Sequence, residues 1–238
     1  VTRALVVFRT GDAMASVAQK RGQYPELIRE GVGDAWTGAF EVVDVRTDAP
    51  FPSPERVAGI IVSGSSHSVT EQAAWMKRAG AFLRTASEEG VPVLGLCFGH
   101  QLIADAFGGE VQKNPRGREI GTVTLQIAQP EDAFFAGCAH PMKIQATHVD
   151  SVVALPERAR VMGSTSLDPH AAYSIGERVR CVQLHPELDH DIIREYVEAR
   201  AEIIESEGLS LSSIRAEIAA APDAPKLLQN FARAFLRR

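Results

Sequence analysis

The chain has 238 residues, of which 45% are hydrophobic and 23% charged, and its formal net charge is -5 at pH 7. That is ordinary globular composition, with enough apolar residues for a sizeable core. The acidic balance argues against nucleic acid as the main partner, because phosphate binding needs a basic face, and no apolar run approaches the length of a membrane span.

Short apolar runs alternate with helical patterns through the first half. RALVVF (3–8), FEVVDV (40–45), GIIVSG (59–64) and VPVLGL (91–96) predict buried strands. The stretches at 16–33 and 70–90 between them predict helices, the second with Thr70 as N-cap and Gly90 as its stop. This rhythm predicts an α/β fold, with an open, mostly parallel twisted sheet covered by helices on both faces. The second half changes character. GTVTLQI, KIQATHVDSVVAL, ARVMGST, AAYSIGE and RVRCVQLH predict a smaller, partly antiparallel part. Residues 191–238 predict a helical C-terminal tail, its last two helices broken near Pro222 and Pro225. With no repeat or linker in view, the expectation is one domain over 1–238, the tail being an extension.

Three cysteines, Cys97, Cys138 and Cys181, without paired spacing do not suggest a disulfide framework. With an N-terminal stretch too short for a signal peptide, the expected setting is the cytoplasm. Cys97 stands apart from the other two. It lies between Gly95 and Gly99, where a strand pattern turns into a helical one. This is the cysteine form of a nucleophile elbow, in which small neighbours let a strained turn expose the reactive atom. The helix amides that follow favour a thiolate, and the Phe98 amide is placed to hold an oxyanion. Cys181 reads as core, and Cys138 as a loop or helix-end thiol.

A thiol that transfers acyl groups needs a base, and the base needs an orienting group. In CVQLHPELD, His185 ends a strand pattern and Glu187 lies two residues on, so both can share a face. His185, Glu187, Asp189, His190 and Asp191 crowd together, but HExxH and CxxC spacings are absent, so no metal or other cofactor is expected. His190 and the neighbouring aspartates are expected to open the next helix.

GLCFGHQLIADAFGG and LHPE resemble the elbow and the His-Pro-Glu signature of the class I, or triad, glutamine amidotransferases. GREIG (117–121) and THVDSVVALP (147–156) resemble stretches of the GMP synthase glutaminase domain. The resemblance spans about residues 3–190 and implies that family's fold, with a flavodoxin-like core. It implies that Cys97 attacks the γ-amide of glutamine, that His185 carries the proton, and that Glu187 orients His185. It further implies that Gln101 helps bind the substrate and that backbone around Thr147, Val149 and Asp150 holds its amino-acid end.

One departure concerns the oxyanion hole. The family often has Gly-Gly-Pro after the third strand, and this chain has Gly64, Ser65 and Ser66. Ser65 keeps an amide for the hole but adds a Cβ. His67 reads as a loop residue, Arg118 and Glu119 as a structural ion pair or loop anchor, and His148 with Asp150 as a polar pair shaping a loop or facing a partner.

Three functions follow from the resemblance. The first is a glutaminase that feeds ammonia to a separate synthetase chain. The second is a γ-glutamyl peptidase using the same triad without a partner. The third is a non-catalytic binding or regulatory module. A homodimer is compatible with the sequence and not required by it.

Overall fold

The computed structural model describes residues 3–237. Its first half runs β1 (Ala4–Arg9), α1 (Ala15–Arg21), α2 (Tyr24–Val32), β2 (Ala39–Asp44), β3 (Val57–Val62), α3 (Ala74–Glu88), β4 (Val93–Leu96) and α4 (Phe98–Ala106). The second half runs β5 (Glu110–Lys113), β6 (Glu119–Ile127), β7 (Met142–His148), β8 (Asp150–Ala154), β9 (Ala159–Ser164), β10 (Ala172–Ile175) and β11 (Val179–Val182). The helical tail comprises α5 (His190–Ala199), α6 (Ala201–Ser206), α7 (Leu211–Glu217) and α8 (Ala224–Ala234).

A nine-stranded sheet carries the order β2-β1-β3-β4-β11-β10-β9-β6-β7. Its β2 to β11 half is parallel, and β11 pairs antiparallel with β10, so the antiparallel part continues the same sheet. β5 and β8 form a separate antiparallel ribbon. Alternate residues of each parallel strand face opposite layers. Leu5 and Val7 join Ile28 of α2 and Leu227, Leu228 and Phe231 of α8 in one core cluster. Val6 and Phe8 join Met76 and Leu83 of α3 and Leu102 and Ile103 of α4 in another.

Several boundaries differ from the sequence reading. The stretch at 16–33 is two helices, because Gly22 sits at φ 90° and Gln23 then starts α2 with a capping box to Glu26. Thr70 lies in a short 3-10 turn, and α3 begins later with Ala73 at its N-cap, while Gly90 at φ 78° follows its end as expected. Pro225 sits in the first turn of α8, where a missing N–H is harmless, so it opens that helix. Asp189 caps α5 by accepting the amides of Asp191 (3.0 Å) and Ile192 (2.9 Å). The tail is also more than an addition, since α8 closes one hydrophobic face of the sheet. No helix among the described residues is long and apolar enough to cross a membrane.

The start of α4 lies hard against β3. A Cβ on Gly99 would collide with the Val62 carbonyl oxygen and come within 2.7 Å of Val62 Cβ. Overpacking at such a contact costs about 1–3 kcal/mol. Gly99→Ala is therefore expected to lower stability by about that amount, read as a shift in the urea midpoint at unchanged m-value.

Candidate active site

The strand β4 ends and α4 begins across a single residue. Cys97 holds φ 49° and ψ -101°, and with Gln72 it is one of two non-glycine residues at positive φ among those described. A side-chain-bearing residue is uncommon in this region and needs support from its surroundings. The Cys97 amide donates to the Val182 carbonyl (2.9 Å) and the Gly99 amide to the Ser63 carbonyl (3.2 Å), tying the turn to both neighbouring strands. A Cβ on Gly95 would stand 2.7 Å from the Gly99 carbonyl oxygen, so the two glycines meet beneath the cysteine.

The chain leaving β11 brings His185 to this turn. The His185 amide donates to the Gln145 carbonyl on β7 at 2.9 Å, which fixes its position at the sheet's end. Its Nδ1 bonds Glu187 Oε1 at 2.8 Å, and both side chains are buried. Gly64 is required alongside, since a Cβ there would press on His185 Cε1 at 3.0 Å. The Tyr24 ring stacks on the imidazole, centroids 6.2 Å apart, and its hydroxyl pairs with that of Tyr196 at 3.1 Å. His185 Nε2 is buried without a nitrogen or oxygen partner among the described residues, which leaves it to the thiol.

Charge coupling and hydrogen bonding together outweigh burial in the pair. Burial is the largest influence on Cys97 and pushes its pKa up, yet the charge of His185 and its hydrogen bond bring the thiol below its usual value. Burial likewise pushes His185 down, and the Cys97 and Glu187 charges raise it well above the usual imidazole range. The arrangement therefore favours thiolate and imidazolium together. Gln183 Nε2 also donates to Cys97 Sγ at 3.6 Å. Burial pushes Cys138 up to about 11 and Cys181 up to about 12, so neither competes as a thiolate.

Cys97 stands between two cavities. One, of about 250 Å³, is lined by Ser65, Phe98, Gln101, Thr147, Val149 and Asp150, the residues the sequence reading grouped around the substrate. The other, of about 270 Å³, lies on the His185 side and reaches Tyr24, Tyr196 and Arg200. Gln101 Nε2 is engaged by the Asp150 carbonyl (2.9 Å) and Gln183 Oε1 (3.0 Å). The Asp150 carboxylate accepts from Ser68 at 2.5 Å. Ser65 donates its hydroxyl to the Thr10 carbonyl at 2.9 Å, and its Cβ is accommodated because residue 11 is glycine.

Other expectations are redirected. Arg118 pairs with Glu207 (2.7 and 3.0 Å) and not with Glu119. Glu119 is buried and bonds His148 Nε2 at 3.0 Å, while His148 Nδ1 donates to the Asp150 carbonyl at 3.0 Å. His148 and Asp150 are thus linked through backbone, with Glu119 as the ionic partner. His67 is an exposed loop residue bonded to Glu71 at 3.0 Å, on the rim of the first cavity. Sequence reasoning missed Gln183, Tyr24, Tyr196 and Arg200. Only Gln183 left a signal, lying two residues before His185 just past the end of β11.

The family described as glutamine amidotransferase class-I matches residues 28–200. The chain belongs to this family. γ-Glutamyl peptidase 4 of Arabidopsis thaliana is 33% identical over 173 residues, covering 70% of this chain and 67% of the peptidase. GMP synthase of Streptomyces coelicolor is 35% identical over 169 residues, covering 71% of this chain and 31% of the synthase. The chain thus spans about a third of such synthases. A solved glutamine amidotransferase from Methylobacillus flagellatus shares the fold at TM-score 0.73 and 21% identity, covering 100% of this chain and 97% of that one.

The lowered pKa at Cys97 has a direct readout. Cys97 is expected to be alkylated faster than Cys138 or Cys181 near neutral pH, with a midpoint below that of a free thiol, as followed by mass spectrometry. His185→Ala is expected to move that midpoint upward, because burial then outweighs the His148 charge that remains. Equal rates at the three cysteines would contradict the coupling.

Proposed function

We propose that the protein hydrolyses γ-glutamyl amides through a Cys97 thioester, the γ-amide of glutamine being the simplest substrate. The observation that carries this reading is the buried line of thiol, imidazole and carboxylate at Cys97, His185 and Glu187, opening on cavities at the elbow. The Cys97 thiolate attacks the γ-carbonyl carbon, forming the C–S bond and moving an electron pair onto oxygen. The amides of Phe98 and Ser65 receive that oxyanion, with Gly64 keeping the loop close to His185. As the tetrahedral intermediate collapses, the C–N bond breaks and His185 gives its proton to the departing amine. Water, deprotonated by His185, then attacks the thioester and releases the γ-carboxylate and the thiolate. Glu187 holds the imidazole's orientation and stabilises its positive charge throughout.

The cavity containing Gln101, Thr147, Val149 and Asp150 takes the γ-glutamyl part. If the amine released is ammonia, a separate synthetase chain is its destination, by analogy with the glutamine-hydrolysing GMP synthases. A second reading, peptide hydrolysis without such a partner, is favoured by the match to a γ-glutamyl peptidase over most of its own length.

Purified protein is expected to release ammonia from glutamine, or amine from γ-glutamyl peptides. Cys97→Ala should fall to background while melting normally, and Glu187→Gln should lose on the order of 10³-fold in kcat. A folded wild-type protein inactive on every γ-glutamyl amide would leave the non-catalytic module standing.

A further inference from the structure

With Asp12 paired to Arg9 and Arg46, Arg200 is the cation lining the His185-side cavity that has no carboxylate partner among the described residues. It ends α5, half-buried, and lines both cavities beside Cys97. Its guanidinium donates to the Thr147 hydroxyl at 3.0 Å and lies over the Tyr196 ring at 4.7 Å. Burial is the main influence on it and disfavours its charge, and no Asp or Glu is among the groups that offset this. Its neighbour Arg118, by contrast, is doubly bonded to Glu207. A guanidinium partly withdrawn from water without an acidic partner is left under-compensated, and carboxylate is the group its fork matches best.

The geometry also says on which side such a carboxylate belongs. Tyr196, over whose ring the guanidinium lies, lines the His185-side cavity and not the one containing Gln101. In the proposed reaction the leaving amine takes its proton from His185, so it departs through that same cavity. Ammonia, about as large as water, needs roughly 30 Å³, whereas this space is about 270 Å³. We infer that Arg200 and the His185-side cavity form a leaving-group subsite for an amine that carries a carboxylate, such as an amino acid or short peptide in γ-glutamyl linkage. Arg200 is then a specificity residue, gripping the part of the substrate that glutamine lacks. The assignment rests on the thioester reading above.

The test compares glutamine, γ-glutamylglycine and γ-glutamylethylamide, the last keeping the N–C–C skeleton of the second without its carboxylate oxygens. Wild-type kcat/KM is expected to be higher for γ-glutamylglycine than for γ-glutamylethylamide. In Arg200→Met, which keeps much of the side-chain volume, that ratio should fall about 10- to 100-fold, as for loss of a charged hydrogen bond. Arg200→Lys should restore part of it, and thermal melts check that each variant is folded. An equal loss on all three substrates would put Arg200 on the shared γ-glutamyl part and overturn the subsite, as would an unchanged ratio. Hydrolysis of none of the three by the wild-type protein would instead bring down the thioester reading itself.

Discussion

The site depends on one peptide unit held where an ordinary residue resists going. Cys97 occupies positive φ at the junction of β4 and α4, a conformation that costs on the order of 1–3 kcal/mol. What holds it is the packing around it. The Cys97 and Gly99 amides are bonded to strands on either side, and α4 is buried from Phe98 to Ala104. The glycines at 95 and 99 allow that packing, because side chains there would force α4 off the sheet. The same backbone turn that strains the cysteine places it at the N-cap of α4, where the free amides of the first turn favour negative charge.

Burial then sets the electrostatics. Alone, the thiol and the imidazole would each be driven neutral at this depth. Together each stabilises the other's charge, and Glu187 holds the far nitrogen of His185. The Gln183 amide adds a neutral donor to the sulfur while its own oxygen accepts from Gln101. A dipole in that position favours the thiolate without competing with His185 for the proton, and Gln101 fixes its orientation.

The parts of this arrangement that were legible in the sequence are local. The elbow and the His-Pro-Glu turn each fit within a few residues, so spacing alone conveys their geometry. β1, β3 and β4 were legible because burial on both faces makes them continuous apolar runs, whereas β2, also expected to be buried, is the partly exposed edge of the sheet. β5 was not legible, since its Glu-Val-Gln-Lys is mostly exposed and shows no apolar face. Arg118 and Glu119 were misjudged as partners for a related reason. Neighbouring residues entering a strand point to opposite faces, so Glu119 turns inward to His148 and Arg118 outward to Glu207. Tyr24, Tyr196 and Arg200 meet only through packing of α2 and α5, elements far apart in sequence, and no local pattern announces such a meeting.

That division by sequence distance coincides with a division in space. The cavity at Gln101 is walled mainly by the elbow, residues 65–68 and residues 147–150, with Arg200 shared between the two cavities. The cavity at His185 is walled in large part by the segment before β2 and the helices after the His-Pro-Glu turn. In the proposed chemistry the first cavity holds what becomes the thioester, and the second holds what leaves. Changes at Asp12, Ala13 or Met14, which line the second cavity and not the first, can therefore alter the accepted amine while the thiolate, the imidazole and the acyl pocket stay as they are. A fold can keep one covalent intermediate and serve different amines in this way, because the leaving group touches elements that the nucleophile does not need.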